Sequence, residues 1–136
     1  MELGARRDAD DRGQSLVELA LTLPVLLALA ALIVTLSLLG VARLATENAA
    51  SEAARTLALT NDDARATATA IAAAAPLRED LLDVRIEPAD RRLRPRGALV
   101  HVTVGYRLSL PLAFAGAGDI RVEGVGVRRM EYLDIP

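Results

Sequence analysis

The sequence predicts an α+β protein: a long N-terminal transmembrane helix that continues into an amphipathic helix, and a second, Ala-rich helix packed on a small three-stranded antiparallel sheet. Three observations carry this prediction. From Leu19 to Ala42 no residue is charged, and about 24 residues at 1.5 Å rise span roughly 36 Å, enough to cross a hydrocarbon core of about 30 Å. Beyond Arg43 the apolar positions fall to alanine at helical spacing. After Pro76 the period changes to two, the signature of strands with one buried face.

Taken in order, residues 1–13 (MELGARRDADDRG) are polar and mixed in charge, with no hydrophobic period. They can bury no face, and are expected to be an irregular leader ahead of the span. Residues 14–42 form the transmembrane helix and residues 43–136 an extracytoplasmic domain. Pro24 lies inside the span, where it removes one backbone hydrogen bond and is expected to loosen the helix, with the Thr22 hydroxyl at hand for the freed group. The helix is expected to continue into water as far as Leu59, with Ala42, Ala45, Ala49 and Ala53 as a small-residue stripe. Thr60, with Asp63 three residues on, has the form of a capping box for the second helix, which Pro76 ends.

Three strands follow. Leu82, Val84 and Ile86 alternate with charged residues, Val100, Val102 and Val104 with His101, Thr103 and Gly105, and Val122, Val125 and Val127 follow Ile120 with glycines between. Turns are placed at Pro88–Gly97 and at Pro111–Asp119. The helices from Arg43 to Ala75 are the cover for one face of this sheet.

Composition narrows the function. Of the 136 residues 52% are hydrophobic but only 2% aromatic, with no Trp and one Phe, which suits packed helices and a span better than a ligand pocket lined by rings. There is no cysteine, so neither disulfides nor thiolate chemistry is available. A net charge of -2 argues against a nucleic-acid partner. The basic cluster Arg91, Arg92, Arg94 and Arg96 sits among prolines and a glycine and reads as a solvated loop. The sole histidine, His101, lies in an alternating strand and reads as a solvent-face residue. Ser109, eight residues along the same strand, has no nucleophile turn around it. Tyr106 and Tyr132 read as packing or interface residues. No enzyme, cofactor, metal site or small-molecule substrate is expected.

At the membrane boundary stands Arg12-Gly13-Gln14-Ser15-Leu16-Val17-Glu18, followed at once by the apolar run. Glycine lets an extended backbone lie close against a protease. A carboxylate just inside an apolar helix seeks a partner, because an ionised group at the helix centre costs about 2.5 to 3.5 kcal/mol on insertion scales and less near the interface. Cleavage after Gly13 would create that partner: the new α-amine of Gln14, with a reference pKa of about 7.7 to 8.0, is largely charged at neutral pH. The same residues also suit a plain signal anchor, with Gly13 at the helix entry and Glu18 as a first-turn acid. A third alternative is a secreted or anchored binding module, since Ala28-Leu29-Ala30 has the small-x-small form a signal peptidase accepts.

The segment resembles the class 3 type IV prepilin signal, in which a polar leader ends in glycine and a glutamate occupies the fifth mature position; Gly13 and Glu18 match that spacing. More widely the chain resembles TadE-like proteins, pseudopilin-like minor components of Tad (Flp) pilus systems. The resemblance rests on RGQSLVELALTLPVLL at 12–27, on ENAASEAART at 47–56 with its Ala50-Ser51-Glu52-Ala53-Ala54-Arg55, and on the distal strands VTVGYRLSLPL and IRVEGVGVRRMEY. It implies processing between Gly13 and Gln14 by a prepilin peptidase and a role in pilus assembly; the residues themselves add an expected assembly charge pair between Glu18 and the Gln14 amine and close helix packing through Ala45, Ala49 and Ala53. The implied partners are the peptidase, other pilin-like subunits, pilus assembly platform proteins and membrane lipid. Gln14 replaces the phenylalanine usual at the first mature position of major pilins, and Leu19 the tyrosine after the glutamate, so an accessory subunit fits better than a filament-forming one. Arg6, Arg7 and Arg12 before the span against Arg43 and Arg55 after it favour a cytoplasmic N-terminus at the cytoplasmic membrane.

Overall fold

The structure, a computed structural model, describes the backbone of residues 2–112 and 116–132 and the side chains of residues 16–109 and 118–132. Its elements are α1 (Glu2–Thr60), α2 (Asp63–Ala73), β1 (Leu82–Glu87), β2 (Leu99–Leu112) and β3 (Gly116–Arg129), with short 3-10 turns at Glu79–Leu81 and Arg91–Leu93. The chain divides into two compact units, Met1–Ser37 and Leu38–Pro136. This is the α+β architecture expected from the change of period.

The first unit is helical from Glu2. The expectation of an irregular leader is thereby corrected. Polarity prevents residues 2–13 from burying a face, but Glu2, Leu3, Ala5, Arg6, Arg7 and Ala9 are good helix formers. From Leu16 the helix is long and apolar enough to cross a membrane. It runs through Pro24. The Thr22 hydroxyl donates to the Glu18 carbonyl at 2.7 Å, not to the Ala20 carbonyl that Pro24 leaves without its usual donor.

In the second unit α1 ends on Asn61, whose φ of 49° is left-handed and whose N–H donates to the Leu57 carbonyl at 2.8 Å. Asparagine tolerates that conformation better than most residues, so it serves as the C-terminal cap. The Ala58 carbonyl, left over at the same helix end, accepts from the N–H groups of Glu131 and Tyr132. The N-cap of α2 is Asp62, whose carboxylate accepts from the N–H groups of Ala64 and Arg65. The capping box read at Thr60 is therefore displaced: Thr60 is the last residue of α1, and its hydroxyl donates to the Thr56 carbonyl.

The sheet is a meander in the order β1-β2-β3, antiparallel throughout. Its inner face carries Leu82, Val84 and Ile86 of β1, Val100, Val102, Val104 and Tyr106 of β2, and Val122 of β3. Against it pack Ala49, Ala50, Ala53, Ala54 and Leu57 of α1 and Ala66, Ala70 and Ala74 around α2. With alanine on one side and valine on the other, the backbones must approach closely for the core to reach protein density.

Two readings change here. In β3 the buried positions are Val122, Gly124 and Gly126, whereas Val125 and Val127 are 58% and 46% exposed. The valine-glycine run had hidden the phase, because at this strand the core-facing residues include the glycines. The turn placed at Pro111–Asp119 is mostly strand, paired as far as Leu112↔Gly116, and its centre at 113–115 lies outside the described residues. Proline is tolerated in β2 there because β1 ends at the Leu82↔Tyr106 rung, leaving that side of β2 unpaired.

Candidate functional site: the membrane-proximal helix and its docking turns

The segment singled out by sequence lies wholly on α1. Gly13 and Gln14 are within its helical backbone, and their side chains are outside the described residues. Glu18 is exposed one turn further on and makes no ion pair among the described residues. From Leu16 to Val41 the large apolar side chains, Leu39 excepted, are exposed around the helix. The three hydroxyls in this stretch are turned inward on the backbone, Thr22 to Glu18, Thr35 to Ala31 and Ser37 to Ile33, each to the carbonyl four residues back. An apolar exterior with its hydroxyls satisfied on the helix backbone suits a hydrocarbon environment.

The character of α1 reverses within one turn. Val41 is exposed, Ala42 is buried, and the Arg43–Glu47 pair at 2.6 Å marks the watery side. Ala45, Ala49 and Ala53 are buried inside the second unit, together with Thr46, Ala50 and Ala54. Thr46 keeps its hydroxyl satisfied by donating to the Arg43 carbonyl at 2.9 Å. These turns rest directly on the sheet. A Cβ on Gly124 would collide with the Thr46 backbone and one on Gly126 with the Ala50 carbonyl, so the helix backbone occupies the space where side chains would stand. The close approach that the alanine stripe permits is thus met by glycines on β3.

The basic loop is also reorganised. Arg94, read as solvated, is fully buried. Its guanidinium donates to the Asp63 carboxylate, to the Pro88 carbonyl at 2.5 Å and to the Ala89 carbonyl at 3.1 Å. It ties the β1–β2 connection to the first turn of α2, and the Tyr132 hydroxyl donates to its carbonyl at 3.4 Å. No local motif announces this, since Arg94 and Asp63 are separated by 31 residues. Arg91 and Arg92 remain exposed, as the loop reading expects.

On the outer face of the sheet, Arg121 reaches over Gly105 to Asp83 at 2.8 Å and holds Glu123 at 2.6 Å, while Arg85 pairs with Asp83 at 3.2 Å. The Arg121 guanidinium, helped by Arg85, holds the Asp83 carboxyl below its usual value. His101 is exposed opposite Val127. Ser109 donates to its cross-strand neighbour Asp119 at 2.6 Å. Among the described residues no cluster of three His, Cys, Asp or Glu stands ready for a metal ion. One shallow depression of about 320 Å³ is lined by Arg55, Ala58, Leu59, Arg128, Arg129 and Glu131.

Residues 13–55 match the family described as TadE-like protein. No curated protein and no solved structure matches the chain. The match begins at Gly13, contains Glu18 and Pro24, runs the length of the exposed apolar segment and ends at Arg55, within the turns docked on the sheet. The similarity to TadE-like proteins covers the segment from Gly13 to the docking turns of α1.

Proposed function

We propose that the chain is a minor pilin-like subunit, a pseudopilin, acting in Tad/Flp pilus assembly at the bacterial cell envelope and matured by prepilin peptidase cleavage after Gly13. The observation that carries this reading is the family match, which starts at the very glycine expected to precede the cut. The chain is anchored once in the cytoplasmic membrane through α1, with the leader on the cytoplasmic side and the sheet-bearing domain outside. Its action is by contact rather than catalysis. Its partners are the peptidase, other pilin-like subunits and the assembly platform.

Maturation and assembly are linked through charge in this account. Removing residues 1–13 leaves Gln14 with a charged α-amine one helical turn from Glu18. Pairing within one chain needs little ordering, but pairing with a neighbour's amine neutralises two charges in apolar surroundings only when subunits stack in register. The uncharged stretch then supplies helix packing while the pair sets the axial offset. Glu18→Gln keeps the size and removes the charge. The expected variant is cleaved and resident in the membrane but fails to join the pilus machinery in a crosslinking assay. Assembly equal to the parent's would remove the charge pair from the mechanism and leave Glu18 as a helix-start acid.

A further inference from the structure

Glycine governs how β3 lies under α1, and the pattern stops at Arg128. Val122, Gly124 and Gly126 are the buried positions of the strand, with the helix backbone seated on the two glycines. The next residue in the same phase is Arg128, opposite Val100 of β2. The helix excludes a side chain at Gly124 and Gly126, and Arg128 is accordingly exposed, on the wall of the depression that it lines together with Arg55, Ala58 and Leu59 of α1. Arg129 and Glu131 complete that wall.

The arginines here differ from most others on the domain. Arg43, Arg78, Arg85, Arg91 and Arg121 each stand beside a carboxylate. Around the depression, Arg55 and Arg128 make no ion pair and no side-chain hydrogen bond among the described residues, and Arg129 donates only to the Gly97 carbonyl, at 3.2 Å. Glu131 lines the same depression without pairing with any of them; its N–H is engaged, donating to the Ala58 carbonyl. Three positive groups thus meet one negative group, in a chain whose net charge is -2. Like charges gathered on one wall repel, and an anion seated among them relieves the repulsion.

Chemistry narrows the anion. A guanidinium presents a rigid fork of donors that matches a carboxylate or a phosphate. The rest of the lining is apolar: Ala58 is buried, and Leu59 is 52% exposed near the end of α1. A volume of about 320 Å³ is at the lower end of ligand pockets, and the two apolar residues offer no room for the acyl chains of a phospholipid.

We propose that this depression is a docking site for an acidic segment of a partner protein, one in which a glutamate or aspartate stands next to an apolar residue. Arg55 and Arg128 receive the carboxylate, and the apolar neighbour rests on Leu59 and Ala58. Glu131 repels the incoming acid and holds the affinity down. All parts of the site belong to the second unit, so it stands whether or not the chain is cut after Gly13.

The test is a titration of the full-length chain in maltoside micelles, read from amide chemical shifts, with the peptide acetyl-Leu-Glu-Leu-amide as the probe. The same peptide with glutamine in place of glutamate, and inorganic phosphate, serve for comparison. The glutamate peptide should shift the signals of Leu59 and Arg128 and bind about tenfold more tightly than the glutamine peptide, because charge-assisted hydrogen bonds are the stronger kind. Arg55→Gln and Arg128→Gln should each weaken its binding about tenfold. Arg92→Gln removes the same charge from an exposed loop and should leave binding within about twofold. Glu131→Gln should strengthen binding. All four substituted side chains are exposed, so the fold is preserved. Equal binding of the two peptides, or equal losses from Arg55→Gln and Arg92→Gln, overturns the proposal. Phosphate that binds as tightly as the glutamate peptide and displaces it also overturns it, assigning the depression to a phosphate-bearing ligand.

Discussion

One helix uses apolar residues in two opposite ways. Between Leu16 and Val41, α1 carries large side chains, chiefly leucine, and leaves all but Leu39 exposed; between Ala42 and Ala58 the apolar residues it buries are alanines, with Leu57 the one large exception. In lipid a leucine gains nothing by packing on another leucine, so the span needs only to be apolar and internally hydrogen-bonded. In water the docking turns must expel solvent from a sheet that contains glycine and valine, and only a thin helix face lets the backbones meet. Size, rather than hydrophobicity, separates the two halves.

The comparison breaks most visibly at Gly126. Gly126→Val would drive a branched side chain into the Ala50 backbone, which belongs to a rigid helix and cannot yield as a side chain tip would. Overpacking usually costs about 1 to 3 kcal/mol, and here the expected loss is at or above the top of that range. Urea unfolding of the full chain in detergent micelles, followed by circular dichroism, measures it. A loss below about 1 kcal/mol would mean that the close approach is not what holds α1 to the sheet.

Ala49→Leu should lower stability by about 1 to 3 kcal/mol in the same assay, because Ala49 is completely buried. The reverse change in the span, Leu27→Ala, should leave the domain within about 0.5 kcal/mol of the parent, since Leu27 is 60% exposed. Equal effects from the two would erase the distinction between the halves of α1.

The smallest expected effect concerns the outer face of the sheet. Asp83 titrates below its ordinary value because Arg121 and then Arg85 hydrogen-bond its ionised form. A carboxylate depressed in the folded state contributes stability that is present above its unfolded pKa, about 3.9, and is lost as pH falls through the lower folded value. Asp83→Asn should therefore be slightly less stable than the parent at pH 7, with the difference closing below about pH 4. A difference that persists unchanged at pH 2 would assign the effect to something other than the charge. Both partners are exposed, so the effect should also shrink in high salt.

Much of this was legible in the sequence because each element has its own period. The uncharged run announced a helix long and apolar enough to cross a membrane, the alanine spacing announced the docking turns, and the alternation around Val84 and Val102 announced two strands in the correct phase. The third strand was visible but not its phase: in Ile120-Arg121-Val122-Glu123-Gly124-Val125-Gly126-Val127 the valines change faces between Val122 and Val125. Only the helix backbone on Gly124 and Gly126 shows which face is inside. Arg94 was illegible for a different reason. Its burial depends on Asp63 and on two loop carbonyls brought together by the fold, and proline, glycine and neighbouring arginines give every local sign of a solvated loop. The helix over residues 2–13 was missed because polarity forbids a packed face but does not forbid a helix.

At Gly13, Gln14 and Glu18 sequence and structure speak to different things. The role proposed for these residues is recognition by another protein, which the contacts among the described residues do not address. The TadE-like match from residue 13 to 55 supplies the context, and the central claim is that the mature chain begins one residue later. The most direct test is to determine the N-terminal residue of the protein recovered from the membranes of its own cell. The account predicts Gln14. A start at Ala31 would make the apolar run a general signal sequence, and a start at Met1 or Glu2 would make it an uncut anchor; either would contradict maturation after Gly13.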